Sequence, residues 1–194
     1  SVCGHPKNVI FLTADAFGVL PPVSKLNADQ AMYYFINGYT SKLAGTEAGV
    51  TEPRPNFSPC YGGPFLPRKP MEYATWLEKR VEQQEANVWL LNTGWTGGPY
   101  GIGSRFDIPV TRKIITAIQT GKLASIKTEK IEGINLDVPT SLEGIDSNLL
   151  NPINNWKDPS LHQSYQNKLI KQFTENFTKF DVSQEIIKAG PKTS

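Results

Sequence analysis

The chain has 194 residues, 39% of them hydrophobic and 20% charged, with 20 Lys and Arg against 18 Asp and Glu for a formal net charge of +2. That composition suits one globular domain with a proper core rather than a disordered or fibrous chain, and so small a net charge gives no ground for nucleic acid or a membrane surface as partner. No run approaches the roughly eighteen apolar residues that a bilayer crossing needs, and the first eight residues lack the regions of a signal peptide, so the expected location is cytoplasmic.

Val9, Ile10, Phe11, Leu12, Thr13 and Ala14 form a continuous, largely apolar run, the pattern of a strand covered on both faces. Such a strand needs neighbours on each side; with only a few residues before it, the chain is expected to start inside a fold. Asn27 stands three residues before Gln30, a capping-box spacing. Met32, Phe35, Ile36 and Tyr39 then recur at helical spacing and predict an amphipathic helix ending near Gly45. Between residues 51 and 70 the chain is rich in proline and glycine (Pro53, Pro55, Pro59, Gly62, Gly63, Pro64, Pro67), which forbids helix and interrupts any strand ladder. A long loop is predicted there, ordered by Phe57, Tyr61 and Phe65.

Pro70 suits the first turn of a second helix whose apolar stripe is Tyr73, Trp76, Leu77 and Val81. Val88, Trp89, Leu90 and Leu91 make a second buried strand, running straight into a glycine-rich segment at 92–105. A third helix follows, with Ile114, Ile115 and Ile118 inward and Gly121 as its stop. Residues 123–138 read as one or two strands, followed by a loop to Asp158. Asp158 and Pro159 start a long helix carrying Leu161, Tyr165, Leu169, Phe173 and Phe177, and a short last helix spans 182–189.

A strand, a glycine-rich loop and a helix are the parts of many phosphate sites, because glycine lets backbone N–H groups approach an anion closely. Neither common phosphate motif is present. The P-loop requires Gly-Lys-Ser/Thr, yet no lysine stands between Gly94 and Lys113; the dinucleotide fingerprint fails because Phe106 stands three residues after Gly103. What remains is Arg105 beside Phe106, with Thr111 at the start of the next helix. A guanidinium for phosphate or base, an apolar ring for the purine face and a hydroxyl for a polar contact suit a nucleotide. The competing reading of the same residues is purely architectural: the glycines shape a turn, Phe106 packs in the core and Thr111 caps a helix.

The run from Val9-Ile10-Phe11-Leu12-Thr13-Ala14-Asp15-Ala16-Phe17-Gly18 through Val19-Leu20-Pro21-Pro22-Val23-Ser24-Lys25-Leu26 resembles a signature of ATP-dependent phosphoenolpyruvate carboxykinases. Ala44-Gly45-Thr46-Glu47, Thr51-Glu52-Pro53 and Asn92-Thr93-Gly94-Trp95-Thr96-Gly97-Gly98-Pro99-Tyr100-Gly101 resemble it too, in family order, and the likeness runs to Ala189-Gly190-Pro191. The resemblance implies an α/β fold, a mixed sheet with flanking helices. Residues 1–194 would be the carboxy-terminal portion of the ATP domain, with the amino-terminal domain and the P-loop outside this chain. It implies an enzyme of gluconeogenesis that decarboxylates oxaloacetate and phosphorylates the enolate with ATP, giving phosphoenolpyruvate, ADP and carbon dioxide. Magnesium and manganese are its metals, and their ligands, like the substrate-binding residues, precede the segment matched by Ser1.

Carried over by position, the resemblance assigns ATP contacts to Arg105, Phe106 and Thr111. This sequence departs from the family pattern at Ser104, where lysine is common, and at Phe106, where isoleucine is frequent; both bear on nucleotide affinity. Pro59 and Tyr61 also differ from the usual residues of the proline-rich loop. A stand-alone, non-catalytic nucleotide-binding or interaction module derived from the same family is the alternative, and coding sequence upstream of Ser1 distinguishes the two. Cys3 and Cys60 read as free thiols, His5 and His162 lack companions at zinc-ligand spacing, and Glu47, Glu52, Lys25 and Arg54 read as surface charges. Asp15, leaving the first strand, either faces a cleft or satisfies turn amides.

Overall fold

The computed structural model describes residues 4–42 and 51–192. Cys3, Glu47 and the motif at 44–47 lie outside them. In chain order the elements are β1 (Asn8–Thr13), β2 (Val23–Leu26), α1 (Ala28–Asn37), β3 (Tyr39–Lys42), β4 (Arg54–Phe57), α2 (Pro70–Gln83), β5 (Asn87–Asn92), β6 (Trp95–Thr96), β7 (Ser104–Arg105), α3 (Ile108–Gln119), β8 (Thr128–Ile131), β9 (Leu136–Pro139), α4 (Ser147–Leu150), α5 (Pro159–Phe177) and α6 (Gln184–Ala189). Five strands form one sheet in the order β1-β5-β2-β9-β8. β1 and β5 run parallel, from Asn8 beside Asn87 to Thr13 beside Asn92, and the other pairs are antiparallel. The fold is therefore α/β with a mixed sheet and flanking helices, as the sequence implied.

Side chains alternate between the two faces of the sheet, and each face has its own core. Phe11, Leu26, Val88, Leu90 and Leu136 pack with Tyr33, Tyr34 and Ile36 of α1 and Leu169, Ile170 and Phe173 of α5. Val23, Trp89 and Leu91 pack on the other face with Ile114, Ala117 and Ile118 of α3. Fully burying a side chain of this size stabilises by about 1.5–3 kcal/mol, so the two layers hold the sheet from both sides.

The local signals explain most element ends. The capping box at α1 forms: Asn27 Oδ1 accepts from the Gln30 N–H at 2.8 Å, and Gln30 Oε1 accepts from the Asn27 N–H at 2.9 Å. Asp158 caps α5 by accepting from the N–H groups of Ser160 and Leu161. The expected long loop is ordered, with Tyr61 tilted against Phe11 at 5.7 Å between ring centroids.

Several expectations need correction. α1 ends at Asn37, not near Gly45, because Gly38 adopts a left-handed conformation (φ 55°) as its C-cap and Tyr39 begins a strand. The proline-rich stretch does carry a ladder: β4 pairs antiparallel with β3, with Pro55 opposite Ser41. A two-stranded ribbon leaves outer edges where a missing N–H costs nothing. Phe65 is 87% exposed and contributes nothing to the order of its loop, and Trp76 is 50% exposed on α2, where Ala74 is the buried position. On α5 the core contact is His162 rather than Leu161. The stretch before Asp158 contains α4 and a 3-10 turn, and the last helix begins at Gln184 rather than 182. β1 has a strand neighbour on one side alone among the described residues; Val9 and Phe11 pack on the core of one face and Ile10 on that of the other, but Leu12 is 57% exposed, so the second face is covered only in part. Among the described residues no helix is long and apolar enough to cross a membrane.

Candidate functional site

The parallel pair β1–β5 ends side by side at Thr13 and Asn92, and the chain emerging from each strand builds the site. Ligand crevices in α/β sheets lie outside the carboxyl ends of such strands. After β1, residues 14–20 fold around Asp15, which is wholly buried. Its Oδ1 accepts from the Phe17 N–H at 3.0 Å and the Tyr39 hydroxyl at 2.8 Å, and its Oδ2 from the N–H groups of Val19 at 2.7 Å and Leu20 at 2.9 Å. Burial pushes the Asp15 carboxyl above its ordinary range, while the three amides and the hydroxyl, all donors to the charged form, pull against that. Of the two readings left open for Asp15, the turn-amide reading is the one the geometry bears out.

After β5, Asn92 ties the two emerging segments together. Its Oδ1 accepts from the N–H groups of Asp15 at 3.0 Å and Gly94 at 2.8 Å, and its Nδ2 donates to the Leu20 carbonyl at 2.8 Å. The glycine-rich stretch then forms a β-hairpin instead of a strand–loop–helix cradle: β6 pairs with β7, Trp95 opposite Arg105 and Thr96 opposite Ser104, around a loop at 97–103. The hairpin lies against the Asp15 turn, with Trp95 N–H donating to the Asp15 carbonyl at 2.7 Å and Tyr100 N–H to the Ala16 carbonyl at 3.0 Å. A Cβ on Gly94 would collide with the backbone of Asp15, and one on Gly18 with the carbonyl of Gly98. These glycines serve backbone-to-backbone contact.

Arg105, Phe106 and Thr111 come together. With Thr93, Asp107, Ile108, Pro109 and Arg112 they line one open cavity of about 550 Å³. Arg105 is exposed, and its Nε and Nη2 both donate to the Thr93 carbonyl, at 3.2 and 3.1 Å. Its guanidinium carbon lies 5.5 Å from the centre of the Trp95 ring. Phe106 is 8% exposed, mostly core with only its rim toward the cavity. Thr111 sits in the first turn of α3, where its N–H donates to the Asp107 carbonyl at 3.2 Å; Asp107, not Thr111, is the N-cap, and its side chain makes no cap bond. The cavity thus offers a planar cation, an apolar rim and a hydroxyl.

Sequence reasoning passed over Thr93 and Trp95. Their signal was available in principle: an aromatic and an arginine placed about equally far on either side of a glycine-rich loop face one another when that loop closes a hairpin. Among the described residues no three His, Cys, Asp or Glu side chains converge as a metal-ligand set.

A sequence model of phosphoenolpyruvate carboxykinase matches residues 1–148. Among curated proteins, the chain is 53% identical over 190 residues to a phosphoenolpyruvate carboxykinase (ATP) from Caldanaerobacter subterraneus, covering 97% of this chain and 36% of that protein. It is 53% identical to the protein of that name from Campylobacter jejuni, covering 97% of this chain and 37% of the relative. To that from Dictyostelium discoideum it is 51% identical, covering 98% and 34%. The chain thus spans about a third of the length of these relatives. Because the family match takes in both β1 with its Asp15 turn and the hairpin carrying Arg105, and the identities hold across nearly the whole sequence, the chain belongs to the ATP-dependent phosphoenolpyruvate carboxykinase family.

Proposed function

We propose that this chain is the carboxy-terminal portion of the ATP domain of an ATP-dependent phosphoenolpyruvate carboxykinase, and that it supplies the adenine-side wall of the ATP site through Arg105, Phe106 and Thr111. The observation that carries the reading is the convergence of those three residues on one cavity, beside the carboxyl ends of the parallel strands β1 and β5. Membership in the family supports the reaction: oxaloacetate and ATP give phosphoenolpyruvate, ADP and carbon dioxide, in gluconeogenesis. In this reading magnesium, manganese and oxaloacetate are held by residues outside the chain, and residues 1–194 alone are inactive.

The residues here orient the nucleotide rather than break bonds. A hydrogen bond to a charged partner contributes about 1.5–3 kcal/mol, so Arg105→Ala in the full-length enzyme weakens ATP binding by roughly tenfold or more. An unchanged ATP dissociation constant sinks the site. The activity is tested upstream of the codon for Ser1: a reading frame encoding a P-loop and the metal ligands supports it, whereas a start codon immediately before Ser1 overturns it.

A further inference from the structure

Arg105 is held in a manner that surface arginines usually are not. Its Nε and Nη2 both donate to one acceptor, the Thr93 carbonyl, so one edge of the fork is committed. Its guanidinium carbon lies over the ring of Trp95, its cross-strand partner. Trp95 itself is 7% exposed, with Tyr100 edge-on at 5.7 Å between centroids, and its backbone N–H donates to the Asp15 carbonyl. The outer face and the remaining donors of Arg105 are left for the cavity. Thr93 and Arg105 line that cavity; Trp95 does not.

We propose that Trp95 is a positioning residue for nucleotide binding: it touches no ligand and acts through Arg105, using its ring and the neighbouring Thr93 carbonyl to fix the plane of the guanidinium before ATP arrives. The inference rests on the assignment of Arg105 to the nucleotide. An unrestrained arginine must give up the freedom of a long, rotamer-rich side chain on binding. Held over an indole, the best ring for a cation, and forked onto a carbonyl, Arg105 has lost most of that freedom in advance, so the ligand meets a preorganised plane.

The test uses the full-length enzyme, with ATP dissociation constants from calorimetry, Michaelis constants for ATP and oxaloacetate, and thermal midpoints as the folding control. Trp95→Leu is expected to raise the ATP constants by roughly three- to tenfold, on the scale of a cation–π contact, with the oxaloacetate constant unchanged. Trp95→Phe, which keeps a ring, recovers most of that loss. In the double variant Trp95→Leu with Arg105→Ala, ATP binds no more weakly than in Arg105→Ala alone, because Trp95 has nothing left to position.

If Trp95→Leu does not fold, Arg105→Lys carries the test: a lysine keeps the charge without the fork or the plane, and is expected to lose nearly as much as Arg105→Ala. Lysine binding ATP like the parent overturns the inference, as does a double variant whose loss is the product of the two single losses. An equal rise in both Michaelis constants does so too, since that marks a structural defect. Should Arg105→Ala leave ATP binding intact, the site assignment falls and this inference with it. Should Arg105→Ala weaken binding while Trp95→Leu and Arg105→Lys do not, only the positioning role falls.

Discussion

The hydroxyl of Tyr39 donates to Oδ1 of Asp15 at 2.8 Å, joining the residue that follows the Gly38 cap of α1 to the turn that follows β1. Both groups are buried, and Asp15 is the acceptor for four donors drawn from two parts of the chain. Tyr39 also packs its ring, tilted, against Phe57 and Phe173, at 5.2 and 5.0 Å between centroids. Tyr39→Phe keeps those ring contacts and removes the hydroxyl that donates to the carboxylate. A loss of about 1.5–3 kcal/mol is expected, read as a lower urea midpoint at unchanged slope. A variant as stable as the parent would show that Asp15 does not draw on Tyr39.

Phe106 combines burial with a rim on the cavity, so its truncation has two effects. Phe106→Ala is expected to cost about 3–5 kcal/mol of stability and to raise the Michaelis constant for ATP while sparing that for oxaloacetate. Phe106→Ile, which installs the residue that the sequence resemblance leads one to expect there, retains an apolar contact and costs roughly 1–2 kcal/mol. Its ATP constant stays within about fivefold of the parent. Equal changes in both substrate constants for the isoleucine variant would remove Phe106 from the nucleotide wall.

Ser104 is exposed and immediately precedes Arg105 on β7. Ser104→Lys installs the charge that the sequence resemblance leads one to expect there. As an exposed charge its gain is modest, about 0.2–1 kcal/mol, or up to roughly fivefold tighter ATP binding at low salt. The gain shrinks as salt shortens the screening length. Titrations at low and high ionic strength check it, and a gain that survives high salt would mean a direct contact rather than a field.

His162 is buried edge-on to Trp156, at 5.4 Å between centroids, and neither ring nitrogen has a hydrogen-bond partner. Burial holds its pKa below 6.5, the ordinary value it regains on unfolding. Between the two values the unfolded chain binds more protons, so this contribution to stability is fully present above the unfolded value and lost as pH falls toward the folded one. The slope is at most about 1.4 kcal/mol per pH unit. His162→Leu is expected to flatten the fall in urea midpoint between pH 7.5 and 5.5; an unchanged slope would assign the acid sensitivity elsewhere.

What was legible in the sequence was local. The Asn27–Gln30 box and the Asp158 cap each work within a few residues of chain, and the apolar runs around Phe11 and Leu90 announced two strands without saying that they pair. Pro55 hid β4, because proline excludes itself from a ladder only where its N–H is needed. Trp76 and Leu161 fitted helical stripes yet face solvent, since spacing gives a stripe but not its exact rotation against the core. The site divides the same way. Arg105, Phe106 and Thr111 were chosen for their chemistry and line one cavity. The hold of Trp95 and Thr93 on Arg105 depended on a hairpin that glycine content did not distinguish from a phosphate loop.

The contact between the Asp15 turn and the hairpin is made where Gly94 meets Asp15 and Gly18 meets Gly98, main chain on main chain. Side-chain interfaces can drift, since one residue may shrink while its neighbour grows to refill the gap. Here there is no volume to trade. A change on either segment has no complementary change on the other that rescues it, so the two segments can be inherited or transplanted only together. Grafting the hairpin with its arginine onto another scaffold should transfer nothing useful unless the Asp15 turn goes with it.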